Sequence, residues 1–582
     1  MPGLPPSHRA GPGSRLAVCV SILAARDVVP RWCATLIESI DAHPALELRA
    51  LAHRIDATAP PAPHSPTECA VGALLHRIDR PLLAVDPPAD APSTVPCDAR
   101  ALAACEVLLE LDARDGPGAP VERRLAPGQR LWRIEAWRVA AETEASLLGG
   151  FDVVDLVLRE RRAGTGTDGL APERPHAVHA LPAQSFSRQD RATAAFGALP
   201  TFVTSALVRL QAGIAEPVPD TVRLFARERL LYLDRPAGER RRVARRRLRA
   251  ALRLMVRHAS TRALDRFTEE RWELAWCPDP FARGTGIEGL LERPVSAWHP
   301  LLDVPGRLRA DPHALSDEGA IDLWFEDMAP GSDRAHVSHA ALRWLPGTDG
   351  GDGTVAVRPG GGATALESPH HLSYPFVFEH AGARWMVPET ASVGRIELYR
   401  EDGSPGRWRL DRTLVEGIDA TDTTLLRRDG TWWLFTSAMS HPAVDERDLL
   451  LLYRADALAG PWRAHPANPV VRGVEGARMA GALFEVDGML VRPSQYGARR
   501  YGHGLNLNRI DRLDDEGYAE TLLGRVVPDG TGGWLGLHSF SRAGGVAFAD
   551  RLRRRPRSAS RPWAAAGSDP VKPLIRKTYS SR

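Results

Sequence analysis

The stretch Asp422-Thr-Thr-Leu-Leu-Arg-Arg-Asp-Gly-Thr-Trp-Trp-Leu-Phe-Thr-Ser437 decides how the second half of this chain folds. Two runs rich in threonine, leucine and aromatic residues flank the pair Asp429-Gly430. Asp-Gly between two such runs is the strongest short-range signal for a hairpin, because both turn positions need a positive φ. The stretch therefore predicts two antiparallel strands joined by a two-residue turn.

The same unit occurs five times: an apolar run, a tight turn with glycine, and a second apolar run that ends in a polar residue. The turns are Glu318-Gly319, Ala381-Gly382, Asp429-Gly430, Asp487-Gly488 and Ala543-Gly544. Their spacing of roughly 50–60 residues is typical of a propeller array. Residues 271–550 are therefore predicted to form an all-β, five-bladed β-propeller in which each blade contributes one strand start to an axial pocket.

The first 260 residues show a different pattern, in which buried strands are separated by helices. The predicted strands are Leu16–Leu23, Leu46–Ala52, Val107–Leu111 and Val153–Arg159, and the predicted helices are Arg31–Ile40 and Arg191–Gln211. This pattern predicts an α/β domain with an open sheet over residues 15–235. Residues 16–25 also resemble a signal peptide, but a helical pattern follows at once, as in a β-α unit. We therefore favour a buried strand there.

Two segments are expected to be disordered, namely residues 1–14 and the basic tail 551–582. Residues 236–270 predict a basic linker helix, in which nine arginines between positions 240 and 257 surround apolar residues at helical spacing. This helix has either a solvated basic face or a surface for an anionic lipid or polymer.

The composition excludes several classes of protein. The chain has only two lysines, Lys572 and Lys577. P-loop nucleotidases, protein kinases and pyridoxal enzymes each need a lysine in the folded body, so the chain belongs to none of them. A formal net charge of +3 gives no case for nucleic-acid binding.

The six cysteines show no CxxC spacing, so neither a zinc ribbon nor a disulfide framework is expected. No metal site and no cofactor are predicted. No apolar run reaches the roughly 18 residues of a membrane span. The run Gly164-Thr-Gly-Thr-Asp-Gly169 matches a dinucleotide-binding pattern by letter, but no helix follows it, and a hairpin turn is the better interpretation. A soluble, cytoplasmic protein without a transmembrane segment is expected.

Strand starts and returning strand ends should meet at one mouth of the propeller, because paired strands are antiparallel. The polar residues at these positions are Asp311, Glu326, Asp327, His371, Tyr374, Glu389, Asp422, Ser437, Arg478, Gln495 and His538. Such a mixture suits a polyhydroxylated ligand with anionic parts. The alternative for each aspartate is that it caps a turn.

Motifs in the second half resemble known propellers. They are Ser373-Tyr-Pro-Phe-Val-Phe-Glu379, Trp385-Met-Val-Pro-Glu389, Ile396-Glu-Leu-Tyr-Arg400, Gly460-Pro-Trp462 and Tyr501-Gly-His-Gly-Leu-Asn506. Together they resemble the five-bladed modules of glycoside hydrolase family 43 and, more closely, the propeller domain of plant glucosamine inositolphosphorylceramide transferases. With this resemblance, the candidate ligand-binding residues are His371, Tyr374, Arg478, Gln495, Tyr501, His503 and His538.

The resemblance to family 43 implies an aspartate base in blade one, an aspartate that tunes pKa values in blade two and a glutamate acid in blade three. Asp311 matches the base by position. Blade two has Pro375 within Tyr-Pro-Phe where Asp-Pro is expected, and blade three starts with Asp422. Glu389 is the nearest alternative acid. The candidate catalytic residues are therefore Asp311, Glu389 and Asp422.

The first half resembles, more weakly, the formyltransferase-like domain that precedes this propeller in similar bacterial proteins. The resemblance rests on Phe151-Asp-Val-Val-Asp155 and Gln184-Ser-Phe-Ser187. Formyltransferases use an Asn-His-Asp trio, whereas residues 1–467 contain no asparagine and Leu131–Trp137 contains no histidine. The sequence therefore argues against formyl transfer and for a scaffold or binding module.

Three functions remain. The preferred one is a carbohydrate-handling protein of a glycosyltransferase pathway, whose propeller binds a glycan or another sugar-containing small molecule in its axial pocket. The alternatives are a glycoside hydrolase with a carboxylate acid/base pair and a non-catalytic interaction scaffold. Whether the chain is an enzyme stays open, with an association with glycosyl transfer favoured. The expected partners are the sugar-containing ligand and an anionic surface that would meet the basic helix.

Overall fold

The computed structural model describes residues 15–24, 28–55, 89–90, 104–113, 125–149, 152–163, 170–183, 188–214, 216, 237–282, 284–317, 319–347, 353–358, 361–403, 406–444, 446–530 and 533–556. The chain divides into two compact units. The first comprises Met1–Ser260 and Met439–Glu446, and the second comprises Thr261–Ala438 and Arg447–Arg582.

In its described residues, the first unit is built on a six-stranded sheet with three helices packed against it, and on a short pair of strands, Val28–Val29 and Ala89–Asp90. Its elements are β1 (Leu16–Ala24), β2 (Val28–Val29), α1 (Arg31–Ala42), β3 (Leu46–Ile55), β4 (Ala89–Asp90), β5 (Val107–Asp112), β6 (Arg130–Glu135), α2 (Ala136–Gly149), β7 (Val153–Arg162), β8 (Arg174–Pro182) and α3 (Arg188–Gln211). The six-stranded sheet has the order β3-β1-β5-β6-β7-β8. Strands β3, β1, β5 and β6 are parallel, and β7 and β8 are antiparallel to their neighbours.

All six elements predicted in this unit are present, with ends that differ by up to three residues. Strand β1 pairs with strands on both sides and is almost fully buried, as expected for the predicted buried strand. The pattern missed the short strands β2 and β4 as well as β6, α2 and β8. The likeness to formyltransferases stays a prediction, and the run Gly164–Gly169 lies outside the described residues.

Helix α3 forms much of the core of the first unit. Its buried residues include Ala195, Leu199, Phe202 and Val203, which pack in the same cluster as β1 and β5. Within the described part of the chain, one helical segment, Gln189–Gln211, is long and apolar enough to cross a membrane by length and composition. Because 72% of its apolar window is buried inside the protein, the segment has the character of a core helix.

One disulfide bond corrects the expectation from cysteine spacing. Cys19 on β1 is bonded to Cys105, just before the adjacent parallel strand β5, with a Cα–Cα distance of 6.0 Å. The two residues are 86 positions apart in sequence, so only the pairing of the strands brings them together. Cys33 and Cys277 are buried and are not part of this disulfide bond.

The second unit begins within a long helix and continues as strands. Its first elements are α4 (Ala237–Phe267), which starts in the first unit, β9 (Thr268–Pro278), α5 (Gly286–Leu291), a 3₁₀ turn (Val295–Ala297) and β10 (His299–Pro300). Helix α4 lies within residues 236–270, where the basic linker helix was predicted, and ends three residues before residue 270.

Five sheets then follow one another as the blades of a propeller. Blade one contains β11 (Leu308–Asp317), β12 (Ala320–Met328), β13 (His336–Leu345), β14 (Thr354–Val357) and β15 (Ala363–Leu366). Blade two contains β16 (Ser373–His380), β17 (Ala383–Glu389), a 3₁₀ turn (Ala391–Val393), β18 (Arg395–Glu401) and β19 (Trp408–Glu416). Blade three contains β20 (Thr421–Arg428), β21 (Thr431–Ala438), β22 (Leu449–Ala455), β23 (Arg463–Ala464) and β24 (Val471–Arg472). Blade four contains β25 (Phe484–Val486), β26 (Met489–Tyr496), β27 (Gly504–Leu513) and β28 (Tyr518–Val526).

Blade five closes the ring with strands from both ends of the propeller. It contains β29 (Trp534–Gly536), β30 (Phe540–Ala543) and β31 (Val546–Pro556), and β31 pairs along its whole length with β9. The propeller therefore starts at Thr268. Residues 551–556, which the sequence analysis placed in a disordered tail, belong to β31, because they pair with residues 268–273 of β9. The rest of that tail lies outside the described residues.

The predicted hairpin turns are confirmed, with one shift. Both turn residues have a positive φ at Ala381-Gly382 (51° and 71°), Asp429-Gly430 (50° and 81°) and Asp487-Gly488 (50° and 73°). Gly319 has a φ of 82°, and Glu318 lies outside the described residues. In blade five the turn is Gly544-Gly545 rather than Ala543-Gly544, because Ala543 still pairs with Val546.

These turns allow a paired test of backbone strain. A Cβ atom at Gly430 would meet no atom within 4 Å. Gly430→Ala should therefore lower the unfolding free energy by about 1 kcal/mol, which is the strain of an alanine in the left-handed backbone conformation. Ala381 already carries that strain at the equivalent turn, and Ala381→Gly should stabilise by about 0.5 kcal/mol after the entropy of the unfolded glycine is subtracted. Urea denaturation of both variants checks this, and two changes of the same sign would contradict it.

Candidate functional site

In three blades, a residue at the same point of the first strand has the same unusual backbone conformation. Asp311 in β11, Tyr374 in β16 and Asp422 in β20 have φ values of 52°, 41° and 53°, a backbone conformation that residues with a side chain rarely adopt. In each case the register with the next strand shifts at this point, which is a β-bulge. A bulge redirects a side chain out of the regular alternation of the strand.

The residue just before each bulge pairs with a residue at the end of the second strand. Glu326 pairs with Ala310, Glu389 pairs with Ser373, and Ser437 pairs with Thr421. The antiparallel hairpins thus bring strand starts and strand ends to the same mouth. We call the group around Asp311, Tyr374, Asp422, Arg478 and His538 the axial cluster.

Hydrogen bonds tie the inner strands of neighbouring blades together. The backbone N–H of Tyr374 donates to Asp311 Oδ2 at 3.3 Å, and the backbone N–H of Asp311 donates to Asp550 Oδ2 at 2.9 Å. The Tyr374 hydroxyl lies 2.9 Å from Thr424 Oγ1 in blade three. The cluster is therefore a link between blades five, one, two and three as well as a set of polar groups.

A chain of charged groups runs from Asp550 through His538 to Asp311. His538 Nδ1 lies 2.7 Å from Asp550 Oδ2, and His538 Nε2 lies 3.5 Å from Asp311 Oδ1. The Trp272 ring stacks on the His538 ring with centroids 4.0 Å apart. Asp311 Oδ1 is buried and accepts no hydrogen bond in the described part of the chain, so the cluster keeps unused hydrogen-bonding capacity.

Burial and charge set the protonation of this chain of groups. Burial raises the pKa of Asp311 well above its usual value, an effect that nearby Glu326, Asp550 and Asp422 reinforce and His538 opposes. Burial alone would lower the pKa of His538, but Asp550 and Asp311 raise it to about 9. Burial would raise the pKa of Asp550, yet His538 and the hydrogen bonds from Asp311 and Ser539 lower it. With a pKa of about 9, His538 is expected to be a cation near neutral pH, stabilised first by Asp550.

A second ion pair completes the cluster. Arg478 Nε donates to Asp422 Oδ2 at 2.5 Å, and the Arg478 guanidinium lies 4.7 Å from the centre of the Tyr501 ring. Burial raises the pKa of Asp422, and Glu389 adds to that effect, while Arg478 opposes it. Although burial alone would lower the pKa of Arg478, Asp422 holds it well above its usual value.

The structure brings most of the predicted site residues together. Asp311, Tyr374, Asp422, Arg478, Tyr501 and His538 interact directly, and Glu389 lies close enough to Asp422 to shift its pKa. His371 joins through Glu326, 3.4 Å away. Glu389, His371 and Tyr501 are half-buried and form the accessible side of the cluster.

Two predicted residues are used differently. The Gln495 side chain donates to the Met479 carbonyl at 3.1 Å, within its own blade. His503 lies 3.3 Å from the Leu535 carbonyl and packs on Tyr496. Neither contact reaches the axial cluster. The turn-capping alternative does not describe Asp311 and Asp422, since both sit in bulges and form ion pairs.

Sequence reasoning missed Asp550 and Trp272. Asp550 follows the second apolar run of the fifth hairpin, Val546-Ala-Phe-Ala549, so the rule of a run ending in a polar residue points to it. Trp272 lies in β9, and no local pattern shows that this strand closes the ring.

One group of side chains could offer metal ligands from a single point. Donor atoms of Asp311, His538 and Asp550 all lie within 4.8 Å of one another. However, Asp550 already accepts hydrogen bonds from the backbone N–H groups of Asp311, His538 and Ser539 and from the Ser539 hydroxyl. The three side chains therefore fit an ion pair between His538 and Asp550 better than a metal ion.

These pKa shifts predict how stability depends on pH. His538 has a folded pKa of about 9, above the unfolded value of about 6.5, so its interactions stabilise fully below pH 6.5 and are lost as pH rises through 9. The raised pKa of Asp311 also makes the folded state less stable as pH rises. The lowered pKa of Asp550 changes stability only at acidic pH, where this carboxylate becomes protonated. We expect the unfolding free energy to fall by about 3 kcal/mol between pH 6.5 and pH 9.

Urea denaturation across this pH range measures the effect. His538→Gln should flatten the profile, because the titrating group is gone. A flat profile for the parent, or the same slope in the variant, would contradict the assignment.

A concavity lies away from the axial cluster. It has a volume of about 460 Å³ and is lined by Arg428, Thr431, Trp433 and Asp514, among others. Arg428 is at the opposite end of β20 from Asp422, so this outer cleft is at the far end of blade three.

Comparison with known proteins identifies the relatives of the propeller. The sequence model of the family described as glucosamine inositolphosphorylceramide transferase 1, N-terminal, matches residues 349–534. Glucosamine inositolphosphorylceramide transferase 1 of Oryza sativa subsp. japonica is 33% identical over 178 residues, which are 30% of this chain and 24% of that protein. The Arabidopsis thaliana protein of the same name is 29% identical over 219 residues, 37% of this chain and 27% of that protein. The chain thus spans about a quarter of the length of these relatives, and the resemblance of its propeller to theirs is confirmed.

Solved structures give weaker likenesses. A structure described as RS223-Beta-xylosidase has 13% identity and a TM-score of 0.31, covering 44% of this chain and 93% of that one. A GH43_1 enzyme from Xanthomonas citri has 15% identity and a TM-score of 0.30, covering 46% and 93%. TM-scores this low support no conclusion about fold or function.

Proposed function

We propose that this chain is a carbohydrate-handling protein whose propeller binds a sugar-containing ligand at the axial cluster. The observation that carries the proposal is the repeated bulge, which holds Asp311, Tyr374 and Asp422 at positive φ with their side chains among other charged groups. Backbone strain of this kind costs roughly 1–3 kcal/mol per residue and is concentrated at functional sites. Three equivalent copies of it argue for a binding role over a purely structural one.

The chemistry of the cluster suits a polyhydroxylated ligand with an anionic part. The Asp311 carboxyl, whose pKa burial raises, can accept a hydrogen bond from a sugar hydroxyl and, when it is protonated, can also donate one. The half-buried Glu389 and His371 offer further polar atoms, and the Tyr501 ring offers an apolar face. The Arg478 guanidinium supplies a permanent positive charge for a phosphate or carboxylate.

The relatives support the same class of ligand. Their name describes a transferase that acts with glucosamine and inositolphosphorylceramide, and the matched residues 349–534 include Tyr374, Glu389, Asp422, Arg478 and Tyr501. Because this chain spans only about a quarter of those proteins, glycosyl transfer itself is proposed only as an association. We therefore place the chain in a glycosyltransferase pathway with the propeller as its binding module.

Glycoside hydrolysis is the second candidate, and the raised pKa of Asp311 is the observation that favours it, because a raised pKa suits a general acid, although the resemblance to family 43 implies a base at this position. Against it, Asp422 is held by Arg478, and Tyr374 occupies the equivalent place in blade two. Release of sugar from aryl glycosides by the parent, abolished in Asp311→Asn, would favour hydrolysis over binding alone.

The binding proposal makes a direct prediction. A panel of glycans and nucleotide sugars should contain a ligand for the parent, and Asp422→Ala and Arg478→Ala should each weaken it at least tenfold. A hydrogen bond to a charged group is worth roughly 1.5–3 kcal/mol, which corresponds to that loss. Isothermal titration calorimetry measures the dissociation constants.

Arg428→Ala is the matched control, since it removes an arginine from the outer cleft and leaves the axial cluster intact. It should bind like the parent. If no member of the panel binds, or if both axial variants bind like the parent, the interaction-scaffold function replaces ours.

A further inference from the structure

The positive charge of this chain is concentrated on helix α4. The helix contains eleven arginines against Glu239 and Asp265, whereas the whole chain has a formal net charge of only +3. The rest of the chain is therefore net negative. A helix so unlike the remainder of the surface requires an explanation of its own.

Between residues 251 and 256, apolar residues lie on two different sides of this helix. Ala251 and Leu254 are buried on one side. Leu252 and Val256 are one turn apart on another side, and they are 49% and 67% exposed. Arg249 and Arg253 lie beside them and are also exposed. We call these four residues the outer face of α4.

We propose that the outer face of α4 binds the surface of an anionic lipid bilayer. Interfacial helices combine exposed apolar side chains, which enter the boundary of the acyl chains, with arginines that meet the headgroups. The outer face has both features within two turns.

Charge and apolarity together favour this occupant over two others. Nucleic acid or another soluble polyanion would use the arginines but would leave Leu252 and Val256 in water. A second copy of the same face would bring its own arginines against these arginines, at an electrostatic cost. A bilayer with anionic headgroups offers an apolar boundary to Leu252 and Val256 and negative charge to the arginines.

Sedimentation with vesicles tests the proposal on the full chain. The protein should bind vesicles of phosphatidylcholine mixed with phosphatidylserine and should not bind phosphatidylcholine alone. The pair Leu252→Ser/Val256→Ser should weaken the partition at least tenfold, because the apolar contact is lost. The pair Arg249→Gln/Arg253→Gln should also weaken it at least tenfold, since each arginine near an anionic surface contributes about a factor of five.

Matched controls exist on the propeller. Leu522 and Val527 are 49% and 39% exposed, and Leu522→Ser/Val527→Ser should bind vesicles like the parent. Arg409 and Arg463 are exposed strand residues, and Arg409→Gln/Arg463→Gln should also bind like the parent.

Three results would overturn the proposal. The first is a parent that does not bind the anionic vesicles at low ionic strength. The second is a Leu252→Ser/Val256→Ser protein that binds them as tightly as the parent does. The third is a parent that binds heparin and ignores vesicles, which would make the outer face a polyanion surface.

Discussion

Replacement of Asp550 by alanine is expected to destabilise the propeller by about 3–5 kcal/mol, the cost of removing one partner from a buried ion pair. The Asp550 carboxylate is completely buried and accepts hydrogen bonds from the backbone of Asp311, His538 and Ser539 and from the Ser539 hydroxyl. Alanine leaves these donors without a partner and leaves the His538 cation beside Asp311 alone.

The measurement is urea denaturation followed by tryptophan fluorescence. Asp456→Ala is the matched control, because Asp456 pairs with Arg454 while its side chain is 82% exposed. An exposed pair of this kind contributes about 0–1 kcal/mol. Equal losses in the two variants would show that Asp550 does not hold the cluster together.

Replacement of Arg492 by alanine should have a comparable effect in blade four, also about 3–5 kcal/mol. Arg492 is completely buried and donates to Glu520 at 2.8 and 2.6 Å and to the Gly476 carbonyl at 2.8 Å. Without it, Glu520 keeps a charge that has lost its main partner.

Arg512→Ala is the control, since Arg512 makes a similar two-point contact with Asp514 but both side chains are about half exposed. Its cost should stay within about 1 kcal/mol. The double variant Arg492→Met/Glu520→Gln should regain part of the stability, because it removes both charges. A double variant less stable than Arg492→Ala would contradict this account of the pair.

Much of the fold could be predicted from the sequence, because a hairpin turn is marked by residues that are adjacent in the chain. Pairs such as Asp429-Gly430 and Asp487-Gly488 occupy a backbone conformation that few residues tolerate, so their identity marks the turn. The pairing of β9 with β31 has no such signal, since it joins residues 268–278 to residues 546–556. The Cys19–Cys105 bond was missed for the same reason, as it depends on which strands are neighbours.

The candidate site could be predicted in part. Asp311 and Asp422 were found because antiparallel hairpins return their ends to one mouth, and the structure places both among charged groups. The bulges that turn these side chains inward could not be predicted, because positive φ at an aspartate or a tyrosine has no sequence signature. Asp550 and Trp272 lie on the two strands that close the ring, so their meeting at His538 follows from the fold alone.

A crystal structure of the chain with the tightest ligand from the sugar panel tests the central claim most directly. The account predicts that the sugar lies against Tyr501 and Glu389, with a hydrogen bond to Asp311 or Asp422 and its anionic part near Arg478. A sugar bound in the outer cleft beside Arg428 and Trp433, with the axial cluster unchanged, would contradict it.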